Sequence, residues 1–276
     1  YGLAYHIKAV NSVEYFEKWR NIAYRAVNWI ERQRSKTKKN KDTLGYGLLP
    51  AGIGNDWGIK GQYWAATDGL TYMGIREISK VFAKYNHPFA GKLKRIAKNY
   101  KSCLKKALKV ICKPQKNRKE IFIPNILDLK ESYPPIGPYF ADGPITLIRA
   151  GIIDPKSVIF EKIERYFVNR GWIKKGLTGL MTDSLMQYIW SDPWAGHTWY
   201  VNTPDYCWFC AWLNRGERKK AQKTLEAQFK YAMSPEYYMI ERFADNDQAF
   251  CPWQPNASAN GRTIMMLLDF YGEKKI

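Results

Sequence analysis

Apolar residues recur at intervals of three and four along much of the chain, the spacing that places side chains on one face of an α-helix. Residues 12–34 show it first, with Phe16, Ala23 and Val27 on a common face. Strict alternation of apolar and polar positions, the pattern of a half-buried strand, is scarce. The chain is therefore expected to be built mainly from helices.

The same helical spacing returns after each of several turns. Asp142-Gly143-Pro144 is typical of a helix start, with an Asp cap and Pro near the first turn. Asn256, Ser258 and Asn260 are alternative caps for the last helix. A short extended piece is expected at residues 121–124. Beyond 12–34, helices are predicted over residues 68–85, from after Pro88 to 111, from 142, and over 155–169, 180–190, 204–213 and 217–233. The last helix is predicted to follow the caps at 256–260 and to run through 271.

Short turns between these helices predict helical hairpins, as at Asn86-His87-Pro88 between the second and third helices. With 276 residues and 46% apolar content, the chain can bury a full core. The expected architecture is all-α, with residues 1–276 forming one domain. No run of about 18 apolar residues is present, so a membrane span is not expected.

Five cysteines are an odd number and too few for a disulfide framework in a chain of this length. Cys207 and Cys210 form a C-x-x-C motif in an apolar aromatic setting, without the second pair that a zinc site needs. Buried core cysteines are the favoured interpretation, with redox or metal roles as the alternative.

The formal net charge is +19. Lysine and arginine are concentrated in three segments, residues 32–41, 92–119 and 215–223, and no nucleic-acid-binding motif accompanies them. Solvated helix faces and linkers are the first interpretation, and an acidic glycan as ligand is the second. Nucleic acid is not an expected partner.

Three loops hold most of the residues that a packed core does not need. Each combines a carboxylate with Trp or Tyr, and sugar binding uses that combination: aromatic faces contact pyranose rings, while carboxylates and amides bind hydroxyls. The first loop carries Asp56, Trp57, Trp64 and Asp68; the second carries Trp194, His197, Trp199, Tyr200 and Asp205; the third carries Glu241, Trp253, Gln254 and Asn256.

Helical hairpins with loops rich in Gly, Trp and Asp at one end resemble the six-hairpin (α/α)6-toroid glycosidases, over roughly residues 44–272. Gly54-Asn55-Asp56-Trp57-Gly58 is similar to the general-acid loop of the trehalase and processing-glucosidase branches, with Asp and Trp in reversed order. Glu241-Arg242-Phe243, followed by Trp253 and Ser258, is similar to their general-base segment.

This resemblance implies an (α/α) toroid and a glycoside hydrolase with two carboxylates. Glu241 would be the general base and Asp56 the general acid, as in an inverting enzyme whose carboxyls stand about 6.5–9.5 Å apart. Asp68 is the rival acid, although its place before Gly69-Leu70 also suits a helix N-cap. Only about eight helices are predicted where a full ring has twelve, so the ring is short or further helices precede Tyr1.

Implied subsite residues are Trp57, Trp64, Asp68, Trp194, His197, Trp199, Tyr200, Asp205, Trp253, Gln254 and Asn256. Asp205 is equally well interpreted as an early helix residue. Two other functions stay open. His197-Thr198-Trp199-Tyr200-Val201-Asn202 resembles the His and Tyr of polysaccharide lyases on related toroids, which act on anionic glycans. A toroid that binds glycan without turnover is the third class.

No metal or cofactor is expected, because H-E-x-x-H, an EF-hand loop and both nucleotide-binding glycine motifs are absent from the sequence. The expected partner is an oligo- or polysaccharide, with an anionic one among the candidates. The chain is expected to be soluble. Its compartment is open, and secretion or a periplasmic location would place the targeting segment outside this chain.

Overall fold

A computed structural model describes residues 1–52, 61–128, 139–181, 198–240, 242–244 and 256–272. These residues form nine α-helices and four short strands, which confirms the mainly α-helical prediction. The helices are α1 (Gly2–Val10), α2 (Val13–Thr37), α3 (Ala65–Lys84), α4 (Ala90–Cys112), α5 (Tyr139–Arg149), α6 (Val158–Asn169), α7 (Asn202–Arg215), α8 (Arg218–Tyr231) and α9 (Ala257–Tyr271). The strands are β1 (Ile173–Lys174), β2 (Leu177–Met181), β3 (Thr198–Val201) and β4 (Arg242–Ala244).

The chain divides into two compact units. Unit 1 comprises Tyr1–Lys116 and Ile126–Asp128, with helices α1 to α4. Unit 2 comprises Asn117–Asn125 and Leu129–Lys275, with the remaining helices and all four strands. The expectation of one domain over residues 1–276 stays a prediction.

Unit 1 is organised by the packing of α3 against α4, the hairpin that the spacing of apolar residues predicts. Its apolar core includes Phe16 of α2, Phe82 of α3 and Leu93 of α4, each with almost no exposed surface. Helix α2 begins after Ser12, whose hydroxyl accepts a hydrogen bond from the Tyr15 amide and so caps the first turn. Helix α1 is not among the predicted helices, since residues 2–10 are too few for the spacing to be distinctive.

Unit 2 packs α5, α8 and α9 against α7. Trp208 of α7 lies at the centre of this packing and contacts the edges of Phe160 and Phe167 at ring-centroid distances of 5.6 and 5.3 Å. Aromatic burial of this kind contributes both area and preferred edge-to-face geometry. Trp208 therefore acts as a core residue, as do its neighbours on the same helix.

An antiparallel sheet with strand order β1-β2-β3-β4 is the main departure from the all-α expectation. Leu180 and Met181 lie in β2, so the predicted helix start at residue 180 is wrong. Short strands carry few alternations, and a buried strand has the same apolar run as a buried helix turn. The apolar run therefore could not separate the two structures.

Three smaller predictions also need correction. Helix α5 begins at Tyr139, so Asp142 is not its N-cap. Helix α3 begins at Ala65 after Trp64, so Asp68 lies within the first turn and is not an N-cap either. Residues 121–124 are buried but belong to no strand. Local signals place the boundaries of an element only to within a few positions, and they do not show whether an extended segment finds a pairing partner.

Candidate functional site

The register of the sheet brings the ends of two predicted site loops together. Met181, the last residue of β2, pairs with Thr198, the first residue of β3. Ala244, the last residue of β4, pairs with Trp199. The segment of residues 182–197 is therefore connected to the sheet at the same end of the strands as the segment of residues 245–255. The segments that carry Trp194, His197, Trp253 and Gln254 join the fold at this end of the sheet.

The β1-β2 hairpin sets this sheet against α8. Lys175 and Gly176 form its two-residue turn, and both have positive φ, as the tightest hairpin turns require. A Cβ on Gly176 would lie 2.8 Å from the backbone oxygen of Lys223, so only glycine fits this position. The Gly176 carbonyl accepts a hydrogen bond of 2.6 Å from the Thr224 hydroxyl. The hairpin is thus fixed both sterically and by a polar contact.

A buried carboxyl joins the sheet to two helices. Asp205 is 2% exposed, in the first turn of α7. It accepts hydrogen bonds from the Thr178 amide of β2 at 2.6 Å and from the Gln228 side-chain amide of α8 at 2.8 Å. Burial raises the pKa of Asp205 to about 7, since a carboxylate is costly to remove from water. At neutral pH this group can therefore hold or release a proton.

One polar atom beside Asp205, the buried Gln228 side-chain oxygen, has no hydrogen-bond partner in the described part of the chain. The Thr178 side chain lies close enough to the Asp205 carboxyl to oppose the rise in its pKa. Buried polar atoms are usually satisfied, so an unsatisfied oxygen next to a buried carboxyl is uncommon. The Gln228 oxygen leaves unused hydrogen-bonding capacity beside Asp205.

Asn202 and Arg262 form a second polar contact at the start of α7. The Asn202 side-chain oxygen accepts from Arg262 Nε at 3.1 Å and from Nη2 at 2.6 Å. The Asn202 amide donates to the Ile240 carbonyl at 3.1 Å. Ile240 directly precedes Glu241 in the chain. The backbone that leads to the predicted general base is therefore held by a buried amide and a guanidinium.

The chain returns from the third loop close to where it departed. Asn256 donates its backbone amide to the Met239 carbonyl at 3.2 Å, and Met239 donates its own amide to the Asn260 side chain at 2.8 Å. Asn256 is also the N-cap of α9, because its side-chain oxygen accepts from the Ala259 amide at 2.7 Å. Of the three predicted caps, Asn256 is the one that the structure confirms.

The first loop is closed at its base in unit 1. Gly52 and Gln62 pair through two backbone hydrogen bonds of 3.0 and 3.3 Å. Trp64 is buried, and its indole NH donates to the Gly52 carbonyl at 3.0 Å. The segment carrying Asp56 and Trp57 therefore starts and ends at a fixed point, with Trp64 as part of the anchor.

Asp68 lies in a buried network of hydrogen bonds and not at an accessible surface. Its carboxylate is 2% exposed and accepts from the Leu49 amide at 2.9 Å and from the Tyr100 hydroxyl. Burial raises the pKa of Asp68 to about 6, against the opposing effects of these hydrogen bonds and of nearby Arg34. Asp68 therefore connects α3, α4 and the glycine-rich segment before residue 53.

Arg34, which no sequence pattern singles out, completes this network. It is fully buried, with its guanidinium 3.8 Å from the Tyr100 ring centroid. It donates to the Gly47 carbonyl at 2.6 Å and to Asn99 at 3.2 Å, and it pairs with Glu31. In the sequence Arg34 stands inside a charge run, so nothing distinguishes it there from exposed neighbours.

Tyr200 is part of an apolar cluster rather than an open surface. It lies in β3, is 2% exposed and stacks on Phe243 of β4 at a centroid distance of 5.1 Å. Leu177, Met239 and Ala259 belong to the same cluster. The ring of Tyr200 therefore contributes to the packing that supports the sheet.

The predicted site residues fall into two groups. Trp64, Asp68, Tyr200, Asp205 and Asn256 are described and serve as anchors, core or caps as given above. Trp199 lies in β3, but its side chain is outside the described residues. The others also lie outside the described residues: Asp56, Trp57, Trp194, His197, Glu241, Trp253 and Gln254.

The described Cys, His and acidic residues bear on the metal and redox interpretations of the C-x-x-C motif. No group of three or more His, Cys, Asp or Glu side chains there could hold a metal ion. Cys207 is buried, and burial raises the pKa of Cys210 to about 12, which keeps this sulfur a thiol at neutral pH. The C-x-x-C motif thus fits the prediction of core cysteines.

Comparisons with family models, with curated proteins and with solved structures give no match to this chain. Among the helices that the structure describes, none has the length and apolar character needed to cross a bilayer. The candidate function therefore rests on the chemistry of the residues themselves.

Proposed function

We propose that this protein is a carbohydrate-active enzyme, a glycoside hydrolase on an (α/α) toroid. The observation that supports it most is the sheet register, by which residues 182–197 and 245–255 are connected to the same end of the strands in unit 2. These segments carry Trp, His, Gln and carboxylate residues in the combination that sugar recognition uses. Connection at the same end of the sheet would let both segments line one sugar-binding surface.

Glu241 is the proposed general base and Asp56 the proposed general acid. In an inverting hydrolase the base takes a proton from water while the acid protonates the leaving oxygen. The contacts of Asn202 with Arg262 and Ile240 support the role of Glu241, because they hold Ile240, the residue that directly precedes it. A fixed backbone preserves the positioning that proton transfer needs.

Asp68 is less suitable than Asp56 as the acid. The Leu49 amide and the Tyr100 hydroxyl both donate to its carboxyl. A general acid must give its proton to the leaving oxygen of a substrate, which requires access that a 2% exposed group lacks. Asp68 is therefore proposed as the residue that orders the base of the first loop.

Proposed subsite residues are the aromatic and polar groups of the three loops. Trp57, Trp194, Trp199 and Trp253 supply the flat faces, while His197, Gln254 and Asn256 supply hydrogen-bonding groups. Trp64, Tyr200 and Asp205 would act indirectly, since burial makes them supports for the loops. The burial of Tyr200 also disfavours the lyase alternative, in which this hydroxyl or His197 would take a proton from a uronic acid.

The test is product analysis on a panel of neutral and anionic oligosaccharides. Mass spectrometry separates the classes, because hydrolysis adds water, elimination leaves an ultraviolet-absorbing double bond, and a binding protein changes nothing. Glu241→Gln and Asp56→Asn should each reduce turnover by about 10²–10⁴-fold. Glu236→Gln, an exposed carboxylate in the same region, is the matched control and should retain activity.

Three results would overturn the proposal. One is an unsaturated product, which would indicate the lyase class. The second is full turnover by Glu241→Gln with folding unchanged. The third is absence of turnover on every glycan that the protein binds, which would indicate the non-catalytic class.

A further inference from the structure

Positive charge is concentrated in one unit of the chain. Unit 1 contains 24 Lys and Arg against 8 Asp and Glu, whereas unit 2 contains 20 against 17. Residues 78–119 contain 14 Lys and Arg and no acidic residue. This distribution is not what a uniformly solvated basic surface would give, since mixed signs are the usual arrangement on a soluble domain.

Helix α4 carries the densest part of this charge. Its 23 residues include eight Lys and Arg and no acidic residue. The helical period places five of the lysines in one stripe along the axis. The stripe consists of Lys94, Lys98, Lys101, Lys105 and Lys109, and all but the half-buried Lys101 are exposed.

A different face of α4 is already occupied. Leu93, Tyr100, Leu104 and Leu108 are buried, and α4 packs along α3. The lysine stripe thus lies on a helix whose orientation is fixed by its core. Lys94 and Lys109 are separated by about 22 Å along the axis, at 1.5 Å per residue.

No carboxylate among the described residues neutralises the stripe. In the described part of the chain, none of its five lysines forms an ion pair with a carboxylate. Burial and the neighbouring charges of Lys105 and Arg76 lower the pKa of Lys101, which reflects crowding of like charges. An anionic partner would relieve this repulsion.

A second basic segment lies beside the C-terminal half of α4. Lys106 donates to the Lys41 carbonyl, and its ammonium is 5.2 Å from the Tyr46 ring centroid. These contacts bring the turn after α2, which contains exposed Lys39 and Lys41, next to α4. The positive surface therefore extends beyond a single helix.

We propose that the lysine stripe of α4 is a docking surface for an anionic polysaccharide. Charge complementarity carries the proposal: a rigid row of uncompensated ammonium groups matches a polymer with regularly spaced carboxylates or sulfates. The choice of a polysaccharide rests on the proposed carbohydrate function. The docking surface would hold the polysaccharide. The carboxylates or sulfates of the polysaccharide would define the substrate class.

Two other anionic partners fit less well. The stripe contains no aromatic side chain on which the bases of a nucleic acid could stack. A bilayer surface would favour a helix with an available apolar face, and that face of α4 is buried.

The test compares binding of defined polymers to the whole chain at low and moderate salt. Polygalacturonate and dextran sulfate are the anionic probes, dextran is the neutral one, and a DNA duplex and phosphatidylserine-phosphatidylcholine vesicles represent the rival partners. The variant K94Q/K98Q/K105Q/K109Q removes exposed charges of the stripe. The control K156Q/K219Q/K223Q/K230Q removes as many lysines from unit 2.

We expect the native chain to bind an anionic polysaccharide with an affinity that falls as salt rises, and dextran not to bind. The stripe variant should bind at least about tenfold more weakly, with a reduced salt dependence, while the control changes little. Circular dichroism should show both variants folded. Four exposed sites are replaced, so loss of folding is not expected.

Several outcomes would overturn the docking surface: equal losses in the stripe variant and the control, tighter binding of DNA or vesicles than of either polysaccharide, or no binding of any probe. The proposed hydrolase fails separately. If Glu241→Gln leaves turnover intact but stripe binding is observed, the enzyme assignment falls and the docking surface stands. If Glu241→Gln abolishes turnover of a neutral glycan, the enzyme assignment stands and the substrate class given by the stripe is wrong.

Discussion

The two units handle charge in opposite ways. Unit 1 places an excess of cations outside, on α4, and buries one arginine, Arg34, inside a polar network. Unit 2 has nearly balanced charge, and its buried polar groups meet around Asp205 at the junction of sheet and helices. Net charge alone does not reveal this division. The proposed polymer docking and the proposed catalytic base would accordingly belong to different units.

The buried carboxyls of the two units also differ in how far their pKa is raised. Burial raises the pKa of Asp68 in unit 1 to about 6, and that of Asp205 in unit 2 to about 7. Asp68 accepts from a hydroxyl and a backbone amide near a guanidinium, whereas Asp205 has an amide on each oxygen and the unsatisfied Gln228 oxygen beside it. The compensation that surrounds a buried acid, and not burial alone, determines its proton affinity.

The largest effect is expected from Arg34→Met. Loss of the guanidinium leaves the buried Gly47 carbonyl without its donor, removes a compensating charge from the buried Asp68 and leaves Glu31 paired only with Lys38 among the described residues. Together these losses should cost about 3–5 kcal/mol of the free energy of unfolding. Urea denaturation followed by circular dichroism measures the change. Arg32→Met, an exposed site on the same helix, should stay within about 0.5 kcal/mol. Similar stability of the two variants would show that the network does not stabilise unit 1.

Asp205→Asn should remove a pH dependence that the native protein has. Because the folded-state pKa is raised from 3.8 to about 7, the folded state binds more protons than the unfolded state between these values, so stability falls as pH rises through this window. The full shift corresponds to about 4 kcal/mol. Asn keeps the shape, and rotation of the Gln228 amide would offer it an acceptor oxygen.

Urea midpoints from pH 4 to pH 8 check this expectation. Asp68→Asn should flatten the smaller dependence between about 4 and about 6, and the exposed Asp128→Asn should leave the profile unchanged. A difference in stability between the native protein and either variant that increases in favour of the native protein as pH rises would contradict the sign of that shift.

Gly47→Ala tests the packing of the glycine-rich segment in unit 1. Gly47 has φ of +70°, and a Cβ there would overlap the Cys103 sulfur. Gly61 has φ of +73° with no neighbour within 4 Å, so Gly61→Ala should show only the backbone cost of about 1–2 kcal/mol. We expect Gly47→Ala to exceed that by at least about 1 kcal/mol in thermal unfolding. Equal losses of stability in the two variants would mean that the Cys103 side chain moves aside at no energetic cost.

The smallest effect is expected at the helix cap in unit 2. Asn256→Ala removes the acceptor of the Ala259 amide and should cost about 1 kcal/mol, while Asn256→Asp should retain most of the stability. Hydrogen exchange at the first turn of α9 is the direct measurement. Unchanged protection in the alanine variant would show that the cap does not stabilise this turn.

Helices were the most predictable part of this protein. The span predicted as 12–34 is α2, Val13–Thr37, and the hairpin of α3 and α4 follows its predicted stripes closely. A stripe of apolar residues repeated over several turns is rarely produced by any structure except a helix. The N-cap at Asn256 was among three alternatives, because Asn and Ser at neighbouring positions all satisfy the local rule.

The candidate site was only partly predictable. Asp205 and Asp68 stood out as acidic residues near helix starts, but the sequence did not reveal that both would be buried and bonded from distant elements. Arg262, Gln228 and Thr178 carried no local signal, since their partners lie 23 or more positions away along the chain. Their importance depends on long-range contacts that local patterns do not contain.

The sequence by itself determined the mainly helical architecture, the strong positive charge and the three loops rich in aromatic and acidic residues. Periodicity and composition are local properties, so each can be measured without knowing the fold. Only the tertiary structure decided that β2, β3 and β4 form one sheet in this register, that Arg34 is inside and the lysines of α4 outside, and that burial raises the pKa of Asp205 to about 7. These outcomes depend on which distant groups meet and on how much water they exclude.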